Sequence, residues 1–458
     1  MDLAERNARS KRAEGMVAGL AAQGVVAVAT TFVDNSGIAR VKTVPLARLP
    51  QLSAWGVGFS TAFDYFRFDD WVAAPATGEG PVGDQRIIPD LSRVVTLAAQ
   101  PGWAWSPGER WSQSGQEHDQ CSRLLLRRQV AALAEQGIEV KAAFEIEWVV
   151  SRGDGDGFTP AALGSGYGVS RLVEASDYCR DVLVALAEQG VVVEQLHPEY
   201  APGQFELSVA PEGPVEAADT SVLVRTTLRA VGEAHGFRTS FSPKVDVAGV
   251  GNGGHVHLSL WRDGANLMAG GERRFELTAD GEAFSAGVLE HLPALLAVGA
   301  PGVASYLRLV PSHWAGAYVA WGLENRETAM RMVTGSTGST SWAANMEVKC
   351  FDLLANPYLV LAGLLATGAA GMASSATLPE PLDVDPAALG EEELARRAVT
   401  RLPTTLRAAV DAFAGDEVIA AAFGRRLVDA VVAVRESELE LFADASPEQV
   451  ADATRWTH

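Results

Sequence analysis

Glu145-Ile146-Glu147 lies inside the apolar run IEVKAAFEIEWVV. Side chains alternate between the faces of a strand, so both carboxylates project from one face into whatever it covers. Acids buried there are costly unless cations meet them. His255-Val256-His257 repeats the spacing with two imidazoles, directly after Gly251-Asn252-Gly253-Gly254, where glycines let the backbone approach a ligand closely. Glu199 and Glu206 flank the turn Ala201-Pro202-Gly203-Gln204 in HPEYAPGQFEL. Glu347 is the one acid in its immediate strand-like run, within MEVKCFD. Each pattern taken singly has a plain structural reading: a solvated sheet face, two satisfied histidines beside a loop, a charged hairpin.

Taken together they form a set of acids and imidazoles in apolar strand settings. Carboxylate oxygens with an imidazole are what Mg²⁺ or Mn²⁺ takes, whereas zinc usually draws on more His or Cys. Two such ions would suit phosphoryl transfer, in which the charge of a nucleotide must be neutralised. Arg308, Arg326 and Arg331 offer the positive groups that phosphates and a carboxylate substrate require; surface ion pairing is their plain alternative. No G-x-x-x-x-G-K-[ST] string is present, so a nucleotide site would not be a P-loop.

Elements must hold these residues together. The spacing predicts a helix from Leu3 to Gln23, closed by Gly24, then two strands joined by the hairpin signal Asp34-Asn35-Ser36-Gly37. Residues 50–112 are rich in Gly, Pro and Trp and read as loops and short strands. Helices are predicted over Cys121–Gln136 and Ala175–Gln189; each ends in Ala-Leu-Ala-Glu-Gln-Gly and feeds a β-branched run. The rest alternates strands and helices without βαβ spacing, which predicts an α+β fold. Residues 379–393 read as an acidic, Pro-rich surface loop, and the tail from Gly415 as helical.

Composition narrows the function. With 37 Lys and Arg against 57 Asp and Glu, the net charge of −20 disfavours nucleic acid and anionic membrane as partners. The longest apolar stretch, Tyr358 to Ala373, is shorter than a membrane span needs and reads as a buried helix. Three scattered cysteines and a charged amino terminus fit a protein of the reducing cytoplasm.

The strings FEIEW, HPEYAPGQFEL, GNGGHVHLSL, SYLRLVP, AWGLENRETAMR and MEVKCFDLLANPYL together resemble the glutamine synthetase family in order and spacing. The resemblance runs from FVDNSGIARVKTVP to the LFADASPEQVADATRWTH tail. It implies a small amino-terminal β-grasp domain (1–108) and a large catalytic domain (109–458) with a curved antiparallel sheet flanked by helices. It also implies ATP as co-substrate, glutamate as acid substrate, two or more Mg²⁺ or Mn²⁺ ions, and a homo-oligomer, a dodecamer of two hexameric rings. Carried across, Glu147, Glu199 and Glu206 would hold one ion, and Glu145, His255 and Glu347 the other. Glu194, His257 and Ser259 match ATP-binding positions, and Arg331 a phosphate-contacting one. Gly251, Arg308 and Arg326 match glutamate- or reaction-site positions.

Departures from the family concern the amine. Where ammonia-using members carry a flap glutamate, this chain has Trp314, an indole that cannot take up a proton but can lie against an organic amine and attract its ammonium by about 0.5–2 kcal/mol. Val250 stands where an Asn is usual. Lys349 replaces an arginine and loses its bidentate fork. Ser341-Trp342-Ala343-Ala344-Asn345 replaces a basic cluster. The aspartate lent by a neighbouring subunit has no clear match; Asp64 is a candidate. These features imply an ATP-dependent ligase joining glutamate to a polyamine, ethanolamine or similar amine. Glutamine synthesis from ammonia, a non-catalytic ring and a metal-dependent hydrolase are the alternatives.

Overall fold

The computed structural model describes residues 1–73, 82–153 and 155–458. The amino-terminal part contains α1 (Leu3–Ala22), β1 (Ala27–Val33), β2 (Ala39–Pro45), α2 (Leu49–Trp55), β3 (Val57–Ser60), β4 (Asp84–Pro89), β5 (Val95–Thr96) and β6 (Trp103–Ser112). Asp2 caps α1, its carboxylate accepting from the N–H of Glu5 at 2.9 Å. The hairpin predicted at 34–37 is present, with the Asp34 carboxylate accepting from the N–H groups of Ser36 and Ile38, each at 2.9 Å. The sheet order is β2-β1-β6-β4-β3, with β5 on β6; β1 and β6 run parallel. Ala13 and Leu20 of α1 and Leu49 and Leu52 of α2 close over Val28 and Ala104 to form a small core.

Two elements here escaped the reading of 50–112 as loops and short strands. Helix α2 is a two-turn helix, too short for a clear helical period. Strand β6 is ten residues long and buried on both faces over most of its length, so it shows no alternation to betray a strand. The portion of that stretch from 74 to 81 lies outside the described residues.

The larger part begins with α3 (Ser122–Ala134), β7 (Glu139–Arg152), α4 (Val169–Glu174), α5 (Ser176–Glu188), β8 (Val193–Pro198), β9 (Gln204–Val209), α6 (Pro214–Ala234) and β10 (Phe237–Ser240). It continues with β11 (Gly254–Arg262), β12 (Ala265–Asn266), α7 (Ala279–Gly299), α8 (Ser305–Arg308), β13 (Tyr318–Val319), β14 (Trp321–Leu323), β15 (Met330–Val333), α9 (Thr340–Ala343) and β16 (Asn345–Val348). It ends with α10 (Pro357–Ser374), α11 (Glu391–Arg396), β17 (Thr400–Arg401), α12 (Leu406–Gly415), α13 (Glu417–Phe423), α14 (Arg425–Leu441) and α15 (Pro447–Thr454). The two predicted helices are α3 and α5, and the glycines after them, Gly137 and Gly190, take the left-handed φ values of +72° and +80° that stop a helix.

Nine strands form the main sheet in the order β14-β15-β16-β11-β7-β9-β8, with β10 on β7 and β12 on β11. The sheet is not wholly antiparallel as expected, because β14 and β15 pair in parallel. Helix α10 is the apolar stretch seen in the sequence; it is long and apolar enough to cross a membrane, yet it packs against α7 and α3 inside the fold. Leu359, Leu361, Leu364 and Leu365 are wholly buried there, each contributing roughly 1.5–3 kcal/mol of apolar burial.

Asn356 joins the two parts. Its Nδ2 donates to the carbonyls of Val33 (3.0 Å) and Asp34 (3.2 Å), while Oδ1 accepts from the N–H groups of Tyr358 (3.0 Å) and Leu359 (3.3 Å) and so caps α10. Beside it, the hairpin backbone at Gly37 (φ +77°) passes so close to Leu354 that a Cβ would lie 1.7 Å from its carbonyl oxygen. Asn356→Ala removes the cap and one donor from each of two carbonyls, of which that of Asp34 keeps the Gly37 N–H at 3.1 Å. We expect it to lower stability by about 2–3 kcal/mol, read as a shift in the urea midpoint at unchanged slope; no shift would contradict this joint.

Candidate active site

The register of the sheet assembles the acids. Glu145 on β7 lies opposite His255 on β11, His257 opposite Glu347 on β16, and Glu147 opposite Glu206 on β9. Glu206 in turn lies opposite His197 on β8, and Arg331 on β15 opposite Glu347. Period two on each strand and pairing across six strands thus place His197, Glu145 and Glu347 in one row.

Contacts within the row are close. His255 Nδ1 lies 2.8 Å from Glu145 and 3.2 Å from Glu347, and its Nε2 lies 3.6 Å from Glu147. His257 Nε2 is 3.4 Å from Glu145, and its Nδ1 is 2.9 Å from Asn345 Oδ1. His197 is 3.1 Å from Glu206 and 3.8 Å from Glu199. Three groups bring ligand atoms within 4.8 Å of one another: Glu145, Glu147 and His255; Glu145, His257 and Glu347; and His197, Glu199 and Glu206. The donor set is oxygen-rich with imidazole and has no thiolate, which fits hard divalent ions such as Mg²⁺ or Mn²⁺.

The electrostatics of the row are those of a site built for cations. Burial and the neighbouring Glu147 raise Glu199. Burial, helped by Glu145 and Glu147, raises Glu206 to about 7 against its bond to His197. The hydrogen bond to Glu206 lifts His197 to about 9. Burial and Lys349 press His255 toward its neutral form, but its bonds to Glu145 and Glu347 prevail and raise it to about 9. Glu347 is buried, yet Lys349 and His255 hold it well below the ordinary carboxylate range. Its oxygens meet Lys349 Nζ at 3.1 Å and Arg331 Nη1 at 3.1 Å.

A cavity of about 410 Å³ opens over the row, lined by Glu145, Glu147, Glu199, Glu206 and His255 and by Gly251, Arg308, Trp314, Arg326 and Lys349. The glycine run approaches closely, as expected: a Cβ on Gly253 would lie 2.3 Å from His255 Nε2 and 2.8 Å from a Glu147 oxygen. The Gly253 N–H instead donates to Glu147 at 2.8 Å. Arg308 is buried, donating to the carbonyls of Phe351 (3.2 Å) and Lys349 (3.1 Å), with Nη2 3.2 Å from His255 Nε2. Arg326 is exposed at the mouth, 5.9 Å from the centre of the Trp314 ring. Trp314 is 53% exposed with φ +54°, its N–H donating to Glu327 at 3.0 Å.

Other residues named from the sequence lie beside the cavity or away from it. His257 and Arg331 reach Glu145 and Glu347 from outside the lining. Ser259 accepts from Trp261 Nε1 at 2.9 Å. Glu194 is exposed at a register shift on the edge strand β8. Asp64 is buried in the amino-terminal part, its carboxylate bonded to Arg110 and to Gln85. A carboxylate matched internally in this way is not free to be lent to a neighbour, which corrects its candidacy.

Several residues of the site went unread. His197 sits two residues before Glu199, the same spacing that singled out the other pairs. Gln204 donates to Glu147 (3.2 Å), the Gly251 carbonyl (3.0 Å) and Asn252 (2.9 Å), fixing the acid against the glycine loop. Tyr167, Tyr200 and Lys244 complete the walls; nothing local in the sequence marks them.

Acids and imidazoles in one row, arginines beside it and a cavity of ligand size above form a site that could hold divalent ions and an anionic ligand. The glutamine synthetase catalytic-domain family matches residues 119–452, and the chain belongs to the glutamine synthetase family. It is 54% identical to a protein of Streptomyces coelicolor named Gamma-glutamylpolyamine synthetase GlnA3, over 98% of this chain and 97% of that one. It is 28% identical to a glutamine synthetase of Pyrococcus abyssi, over 93% and 94% of the two chains. Among solved structures, one described as a novel glutamine synthase homolog aligns with a TM-score of 0.85 at 32% identity, covering 95% of this chain and 99% of that one. A complex of GmaS with ADP aligns at 0.82 and 26%, covering 94% and 97%.

Metal ligation requires Glu206 and His255 to give up protons that they hold up to about pH 7 and about pH 9. Raised values mean that protons compete with the ion over this range, so Mn²⁺ affinity should climb from pH 6 to pH 9 by about tenfold per pH unit for each proton displaced. Calorimetry in buffers of different ionisation enthalpy reads the released protons. An affinity flat across that range would contradict the assignment.

Proposed function

We propose that the protein is an ATP-dependent ligase that joins the γ-carboxylate of glutamate to an organic amine of the polyamine class through a γ-glutamyl phosphate. ATP would phosphorylate the γ-carboxylate, and the amine nitrogen would then attack the acyl carbon, releasing phosphate and a proton. Divalent ions held by Glu145, Glu147, Glu199, Glu206, His255 and Glu347 would neutralise phosphate charge during transfer. Arg308 and Arg326 would orient glutamate, and Arg331, Lys349, Glu194, His257 and Ser259 would serve the nucleotide. Arg331 and Lys349 now neutralise Glu347. An ion on that carboxylate would release them to meet phosphate oxygens.

The observation that carries an organic amine over ammonia is Trp314 at the cavity mouth, held by Glu327 in a left-handed conformation that a large residue rarely adopts. Its indole, with Tyr167 and Tyr200 in the same walls, offers aromatic faces to an alkylammonium. The end-to-end similarity to a relative named for polyamine ligation supports the same reading. The division at residue 108, a β-grasp amino-terminal domain, a ring of twelve copies and a cytoplasmic setting belong to this proposal as well. Helix α1 packed on a mixed sheet supports the β-grasp, and three unpaired cysteines support the compartment.

Phosphate release from ATP with glutamate and Mg²⁺, compared across ammonium, methylamine, ethanolamine, putrescine and spermidine, tests this. A polyamine should be the best acceptor, and ammonium as the best would overturn the proposal. Trp314→Glu should cut kcat/KM for the polyamine about tenfold, equivalent to roughly 1.4 kcal/mol, and raise use of ammonium. Unchanged selectivity would remove Trp314 from the amine site.

A further inference from the structure

A second cavity, about 420 Å³ in volume, lies between the β1–β2 hairpin and α6, remote in sequence from the row of acids and sharing none of its residues. Arg225 and Arg229, one turn apart on α6, both line it, with Phe241 below and Ile38 of the hairpin above. The guanidinium carbon of Arg229 sits 5.3 Å from the centre of the Phe241 ring. Neither arginine forms an ion pair among the described residues. Glu233 lines the same cavity one turn beyond Arg229 without pairing to it.

Buried Arg123 is met by Asp90, Glu109 and Asp219, and Arg110 by Asp64, whereas buried Arg171, Arg308 and Arg435 donate to backbone carbonyls. Two like charges share the second cavity, and burial together with Arg229 lowers Arg225 to about 10. His458, also in the lining, is held neutral: burial and the two arginines push it down to about 3, and its Nε2 is bonded to the Ser36 carbonyl at 2.7 Å. The cavity therefore holds two guanidinium groups that no carboxylate pairs directly, with Glu233 at its wall, and is of a size that suits a small molecule.

We infer that this cavity is an anion-binding site, separate from the active site, that takes a small doubly charged ligand, a phosphate or a dicarboxylate. Paired guanidinium groups hold such oxygens through charge-assisted bonds. The walls of Phe241, Ile38 and Ala230 leave room for a short carbon skeleton. The site also touches the segment that carries the active-site residues. Arg225 Nη1 donates to the Leu353 carbonyl at 2.8 Å, and two residues earlier the Phe351 carbonyl accepts from Arg308.

Calorimetric titration of the full-length protein with inorganic phosphate, and separately with succinate, tests the inference. Saturating Mg²⁺, glutamate and a non-hydrolysable ATP analogue would keep the active site filled. One anion should bind per chain. In Arg229→Gln, whose side chain is open to solvent, binding should weaken at least tenfold, about 1.4 kcal/mol; Arg326→Gln at the active site should leave it unchanged. Preference for phosphate or for succinate assigns the ligand class. No binding to the native protein, or equal affinity in Arg229→Gln, would overturn the inference.

Discussion

Mutual repulsion among five carboxylates is the constraint around which this protein is built. Glu145, Glu147, Glu199, Glu206 and Glu347 are brought to one face of one sheet, partly or wholly out of water. In that setting their charges cost far more than at a surface, and each must find a counter-charge. The chain supplies some of it from within, using His197, His255, His257, Lys349 and Arg331. What it supplies is incomplete, for Glu199 and Glu206 stay raised despite their neighbours. A divalent ion held by these residues would supply the missing positive charge, and Arg331 and Lys349 would then be free to meet phosphate oxygens.

Holding like charges together demands a rigid support. The nine-stranded sheet gives it through register, since a one-residue slip in any strand would turn its acid to the opposite face. Helices α7 and α10 back the sheet with a core of wholly buried leucines. Asn356 and the Gly37 hairpin fasten the amino-terminal part to the segment following β16, which carries Glu347 and Lys349. The glycine loop and Gln204 settle Glu147, the acid nearest the centre of the row.

Much of the site was legible in the sequence because its chemistry coincides with strand period. Glu145 and Glu147, His255 and His257 each announce a shared face by spacing alone. Which pairs meet is a matter of register between strands up to 200 residues apart, and no local pattern reveals it. His257 therefore joins Glu145 and Glu347 in a group that one-by-one assignment did not give. His197 carried the same period-two signal relative to Glu199 and was passed over within a longer motif. Asp64 shows the reverse error: an acid in an aromatic, Gly-rich stretch looked available, but its partner Arg110 lies 46 residues away on a strand hidden by double-sided burial.

Electron paramagnetic resonance of Mn²⁺ titrated into the metal-free protein tests directly whether metal completes the row of acids, because ions a few ångströms apart couple magnetically. Two coupled ions per chain, with the coupling lost in Glu145→Gln, is the predicted result. Retention of full ATP-dependent turnover by rigorously metal-free protein, or a single uncoupled ion unaffected by Glu145→Gln, would contradict it.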